Sequence, residues 1–250
     1  MIPYVDIHTH LDHCKAKGLD IDSLISKAKK AGVVKIITNG TTPKNNRESI
    51  AYAHTYDIVE AALGIYPNEG LKMSPSEFDE ELQWIMKQRP VAIGEVGIDM
   101  YWDKEHYKEQ EQNFLKIISI SEKIKRPLIV HSRGAEKETV DLLLSSDVKK
   151  VDMHCFAGSK KLAKAVEDKG WLLSIPPTIA FSKHFQMLAE IVNIGNLLTE
   201  TDAPYLGPVK GEWNEPANVV RSIAEIARIK QMTVEETANN IYLNSTRFLL

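Results

Sequence analysis

"VDIHTHLD", residues 5–12, is an apolar run that ends in two histidines one residue apart. As a β-strand it sends alternate side chains to opposite faces, so His8 and His10 point the same way, with Asp6 and Asp12 in step. Two inward imidazoles are costly to bury unless they share a partner. The stretch therefore reads as a buried strand that opens onto a polar site. Seven further runs follow: "VVKIITNG" (33–40), "IVEAALGI" (58–65), "VAIGEVGI" (91–98), "PLIVHS" (127–132), "VDMHCF" (151–156), "WLLSIP" (171–176) and "LLTETD" (197–202). Several are apolar on both faces, as strands buried in a parallel sheet are.

Helical patterns fill the gaps. "DIDSLISKAKKAG" takes Asp20 or Asp22 as its cap and stops at Gly32. "SPSEFDEELQWIMKQ" has Ser74 at the N-cap, Pro75 in the first turn and Glu77 completing a capping box. "TVEETANNIYL" repeats that box with Thr233 and Glu236, and two other stretches carry apolar residues at helical spacing. Strand then helix, repeated eight times, predicts an α/β fold of the (β/α)8 TIM-barrel type, one domain over residues 1–250. A doubly wound open sheet would need a glycine-rich phosphate loop after its first strand, and "HTHLDHCKAKG" is not one.

The composition is that of a soluble globular protein, 43% hydrophobic and 26% charged over 250 residues. A formal net charge of −3 argues against a coat for duplex nucleic acid, though not against an enzyme that grips a few phosphates. Two cysteines, no C-x-x-C pair, no signal-like start and no membrane-length apolar run point to the cytoplasm and to no membrane partner.

In a barrel of this kind active sites gather at the C-terminal ends of the strands. His8 and His10 end the first strand, Glu95 lies late in the fourth, His131 ends the fifth, His154 the sixth and Asp202 the eighth. Four imidazoles and two carboxylates thus converge on one mouth. Each has a plainer reading: a strand histidine is often satisfied by a backbone carbonyl, Glu95 could pair with Arg133, and Asp202 could cap the next segment. Glu200 shares a face with Asp202 and is its rival as a ligand. Burial between apolar neighbours would raise the Glu95 pKa unless a cation holds it ionised. His54, His106 and His184 read as solvated surface, and His13 lies within reach of the mouth. Cys14 and Cys155 read as packing or loop residues.

Imidazole and carboxylate without thiolate suit Zn²⁺ or Mn²⁺, with Mg²⁺ if water completes the shell. Six ligands exceed one tetrahedral ion and suit two ions bridged by a carboxylate. Such a pair activates water for attack on a phosphoryl or an acyl centre, and the residues alone do not choose between them.

In order along the chain, "DIHTHLD", "AIGEVGIDMYW", "PLIVHSRGA", "MHCFAGS", "LLTETDAPYL" and "NEPANV" resemble the motifs of the TatD-type metal-dependent deoxyribonucleases. That family is a branch of the amidohydrolase-like, metallo-dependent hydrolase barrels. The resemblance implies that His8, His10, Glu95 and Asp202 hold one divalent metal. It implies that Glu95 bridges to a second, held also by His131 and His154, and that Asp202 orients or deprotonates the attacking water. It implies phosphodiester hydrolysis at DNA ends or single strands with two ions of Mg, Mn or Zn. The chain departs from the family where "GIYPNE" puts Tyr66 and Asn68 in place of two usual histidines. Tyr66 then offers a neutral hydrogen bond to a phosphate oxygen, and Arg133 a bidentate cationic one. Asp12 and Asp99, if inward, are placed to hold ligand imidazoles. Two other functions fit the same residues: hydrolysis of an amide, lactone or aminoacyl ester, and a non-catalytic barrel that keeps metal for stability.

Overall fold

The computed structural model describes residues 2–209 and 211–250. Eight strands form one sheet in sequence order: β1 (Tyr4–Thr9), β2 (Val33–Asn39), β3 (Val59–Leu63), β4 (Ala92–Gly97), β5 (Leu128–His131), β6 (Val151–Met153), β7 (Leu172–Ile175) and β8 (Leu197–Thr199). Every neighbouring pair is parallel. The last strand meets the first through individual bonds: the Thr199 hydroxyl donates to the Val5 carbonyl (2.9 Å), and the Asp202 N–H to the His8 carbonyl (2.8 Å). Helices alternate with the strands around the outside, which makes the chain a (β/α)8 barrel.

Each strand is shorter than the apolar run that predicts it, most of all β6 and β8, which stop three residues early. Beyond those ends the ladder thins to single bonds, such as the His154 N–H to the Val130 carbonyl and the Thr201 N–H to the His8 carbonyl, and buried carboxylates add side-chain acceptors. The Cys155 N–H donates to Glu200 (3.0 Å) and the Thr201 N–H to Asp6 (2.8 Å). Ligand-type residues thus sit just beyond the sheet, on turns aimed at its mouth.

Local signals place the helices as their chemistry dictates. Both capping boxes form, at Ser74/Glu77 on helix Pro75–Gln88 and at Thr233/Glu236 on helix Val234–Leu249. Helix Ile21–Ala31 ends at Gly32 in the left-handed region, but Asp20 at its N-cap makes no side-chain cap bond. The last helix closes the structure: Phe248 and Leu249 cluster with Ile7, Ala62, Ile129 and Leu198. A larger cluster packs Phe78, Phe114 and Leu188 of the helices on Leu63, Val130 and Leu173 of the sheet. No helix among the described residues is long and apolar enough to cross a membrane.

Candidate metal centre

His8 and His10 meet as the alternation of β1 requires, their Nε2 atoms 3.1 Å apart. His10 donates its Nδ1–H to the Asn39 carbonyl (2.8 Å), which turns Nε2 toward the cluster. Glu95 Oε2 lies 3.3 Å from His10 Nε2 and 3.8 Å from His8 Nε2. Asp202 Oδ1 lies 3.4 and 3.5 Å from the same two nitrogens. The other Glu95 oxygen, Oε1, faces His131 Nδ1 at 2.9 Å and His154 Nε2 at 3.9 Å. One buried carboxylate therefore presents each oxygen to a separate pair of imidazoles.

These separations suit metal ions. Four ligand atoms about 2.0–2.1 Å from a tetrahedral ion stand roughly 3.3 Å from one another. The atoms of His8, His10, Glu95 and Asp202 span 3.1–3.8 Å in the five pairs above. Glu95, His131 and His154 form a second group whose ligand atoms all lie within 4.8 Å of one another.

Carboxylates behind the imidazoles set their orientation. Glu200, fully buried, takes the Nδ1–H of His154 (2.5 Å), and its second oxygen accepts from the Cys155 N–H. The Ser174 hydroxyl lies 2.9 Å from both Glu200 and Asp152. A hydroxyl has one proton to give, so one of those two carboxyls must carry a proton of its own. Burial, with Glu200 adding to it, pushes Asp152 up to about 8, which makes Asp152 that group. Asp99 takes the His131 Nε2–H (3.0 Å), turning Nδ1 toward Glu95. Asp6 accepts from both the N–H and the hydroxyl of Thr201 and so fixes the turn that carries Asp202. Asp202 itself has φ +53°, a left-handed conformation that Asp tolerates better than most residues.

The close approach of β4 to β5 depends on Gly97, whose φ is +141°. A Cβ there would stand 2.0 Å from the His131 carbonyl oxygen.

Burial and neighbouring charge pull the proton affinities of these groups apart. Burial lowers His8 far below the usual imidazole range, reinforced by His154. Burial also disfavours the charged form of His154, but Glu200 outweighs it and pushes the group up to about 10. Burial acts the same way on His10, where Asp202 and Glu95 win and raise it. Glu95 resists the upward push of burial because His10 and His131 donate to it, and it stays well below the carboxylate range.

The structure brings all six predicted ligands together and alters several other expectations. Arg133 does not neutralise Glu95: it is exposed, its guanidinium 3.7 Å above the Tyr101 ring. Tyr66, expected at the substrate, donates its hydroxyl to Asp99 and lies 3.3 Å from His131 Nε2, so that proton is committed inside the wall of the site. Asp12 is inward, but it pairs with Asn45 and faces His13 (3.5 Å) in place of a ligand imidazole. Glu200 is a support for His154, not a rival to Asp202. His13 does reach the mouth, stacked on His10 at 4.7 Å between ring centres. His54 and His106 are exposed, whereas His184 is half-buried and donates to the Phe156 carbonyl (2.9 Å). Asp6, Asn39, Ser174 and Asp152 also take positioning roles, which the motifs of the chain do not mark. The only local signal was polar residues inside otherwise apolar strands.

Residues 5–250 match the family described as TatD related DNase. An uncharacterized metal-dependent hydrolase of Methanocaldococcus jannaschii is 36% identical over 250 residues, 99% of this chain and 97% of that protein. Human deoxyribonuclease TATDN3 is 33% identical over 245 residues, 93% of this chain and 89% of that one. Among solved structures, YJJV, a TatD homologue from Escherichia coli K12, superposes with a TM-score of 0.91 at 27% identity, covering 98% of this chain and 97% of that one.

Proposed function

The chain belongs to the TatD-related DNase family of metal-dependent hydrolases, and from that premise we propose that it is a two-metal deoxyribonuclease cleaving phosphodiester bonds at the ends of DNA or in single strands. The observation that carries this reading is the double presentation of Glu95, one oxygen toward His8 and His10 and the other toward His131 and His154. In it Glu95, His8, His10 and Asp202 hold one Mg²⁺, Mn²⁺ or Zn²⁺, and Glu95, His131 and His154 a second. Bound ions supply Lewis acidity, which makes water a nucleophile near neutral pH and spreads charge from the phosphoryl oxygens.

The protein's own groups do the rest. Asp202, at the rim with its carboxylate turned to the cluster, orients the attacking water and takes its proton. Asp99 and Glu200 keep the lone pairs of His131 and His154 aimed inward through their hydrogen bonds. Arg133, exposed and stacked on Tyr101, meets the substrate phosphate with parallel N–H donors. Tyr66 acts on the site through Asp99. The whole chain works as one catalytic domain, and two free thiols, Cys14 and Cys155, suit a reducing cytoplasm.

The test combines metal analysis with turnover. The chain saturated with Mn²⁺ should hold two ions and release nucleotides from end-labelled single-stranded DNA, while amide, lactone and ester panels stay unreacted. Release from no DNA with any of the three metals, beside turnover of an ester, would overturn the reading.

A further inference from the structure

Six aromatic side chains are exposed among the described residues, and five lie on loops at the mouth: Tyr101 and Trp102 after β4, Phe181 after β7, Tyr205 and Trp213 after β8. Trp102 is the most open of them, at 66% exposure. Rings scattered singly over a surface need no explanation, but rings gathered round one opening do.

The turn that displays Tyr101 and Trp102 is rigid. Asp99 Oδ1 accepts from the N–H of both residues, at 2.9 and 3.0 Å. Gln110 braces the same turn, accepting from the Asp99 N–H (2.8 Å) and donating to the Asp103 carbonyl (2.7 Å). Asp99 uses its other oxygen for His131. A single carboxylate therefore holds one imidazole of the cluster and the two exposed rings in fixed register. Tyr101 meets Trp102 edge-on, with ring centres 4.9 Å apart and planes at 86°. Arg133 covers the Tyr101 face and stands 5.5 Å from the Trp102 ring. An exposed indole beside a guanidinium stacked on Tyr101, on a turn bonded to the Asp99 that also holds His131, suits a ligand that is flat, aromatic and anionic together.

We propose that Trp102 is a stacking platform for an unpaired nucleobase of the substrate, and that Arg133, braced by Tyr101, takes a phosphate adjoining that base. This rests on the nuclease reading and adds a specificity determinant to it. Every base has a π face, so such a platform favours unstacked strands without selecting sequence. A paired end would have to fray before a base could reach it.

The probe is an eight-residue oligothymidylate, beside an abasic oligomer of equal length, each bound by the chelator-treated chain. Binding is read by fluorescence anisotropy with tryptophan quenching alongside. The intact protein should bind oligothymidylate roughly 5- to 150-fold more tightly than the abasic oligomer. Trp102→Ala should remove most of that difference, Trp102→Phe should keep much of it, and Arg133→Gln should weaken both oligomers together. Circular dichroism checks that each variant is folded. Equal binding of the two oligomers by the intact chain, no measurable binding of either, or an undiminished difference in Trp102→Ala overturns the proposal. Cleavage is followed separately with Mn²⁺ restored. Hydrolysis without base-dependent binding sinks the platform alone, and base-dependent binding without hydrolysis sinks the nuclease reading alone.

Discussion

Replacing Glu200 by Gln tests whether the carboxylate behind His154 governs how the cluster takes up metal. In the intact, metal-stripped chain Glu200 holds the His154 proton at 2.5 Å, and His154 titrates at about 10. A metal ligand must be neutral imidazole, so at pH 8 an ion arriving at His154 Nε2 has to displace the proton there, while Nδ1–H stays with Glu200. A pKa two units above the working pH handicaps binding by about a hundredfold. The variant lacks the largest upward influence, so burial is opposed only by the charges of Asp202 and Glu95, and the imidazole gives up its extra proton at a lower pH than in the intact chain. The variant also loses the partner that aims and strengthens the ligand, a loss of about 10–100-fold. These two effects oppose each other and nearly cancel at pH 8, so affinity there is a poor readout. Proton release is a good one. Calorimetric titration of Zn²⁺ in buffers of different ionisation enthalpy should show about one proton fewer released by Glu200→Gln than by the intact chain. As pH rises toward 10 the proton handicap of the intact chain fades, and its affinity should gain on the variant's. Equal proton counts, with both proteins folded and loaded, would refute the reasoning.

Glu95→Gln should lower metal content below two ions per chain and cut nucleotide release by orders of magnitude while circular dichroism stays native. Full metal occupancy would count against a bridging carboxylate. Asp6→Ala removes the acceptor of the buried Thr201 hydroxyl and one of the two acceptors of its N–H, and should cost about 1–3 kcal/mol in urea unfolding. A change within about 0.5 kcal/mol, the range of an ordinary surface substitution, would contradict the tethering role. Gly97→Ala pushes a Cβ into the His131 carbonyl and should destabilise by more than about 2 kcal/mol. Its expected signature is a lowered melting temperature together with loss of one metal, because His131 moves with its strand. Normal stability with two ions bound would show that the backbone yields there at little cost.

The sequence by itself determined the barrel and the convergence of the six candidate ligands, because both rest on local regularities. Period-two alternation turns His8 and His10 to one side. The polarity of parallel strands carries Glu95, His131, His154 and Asp202 to the same end. Capping boxes at Ser74 and Thr233 mark helix starts within a single turn of chain. Even so, the apolar runs overstate β6 and β8, whose ends give way to turns held partly by side-chain acceptors that only the folded chain supplies.

Tertiary structure alone decided what stands behind each ligand. His154 and Glu200 are 46 residues apart in the chain, and Thr201 and Asp6 are 195 apart. No spacing rule connects such pairs, because barrel closure sets their distance. The same closure commits the Tyr66 hydroxyl to Asp99, stacks His13 on His10 and sends the two oxygens of Glu95 to different imidazoles. Which residues reach the mouth follows from strand periodicity, but what each atom meets there depends on the shear and packing of all eight strands.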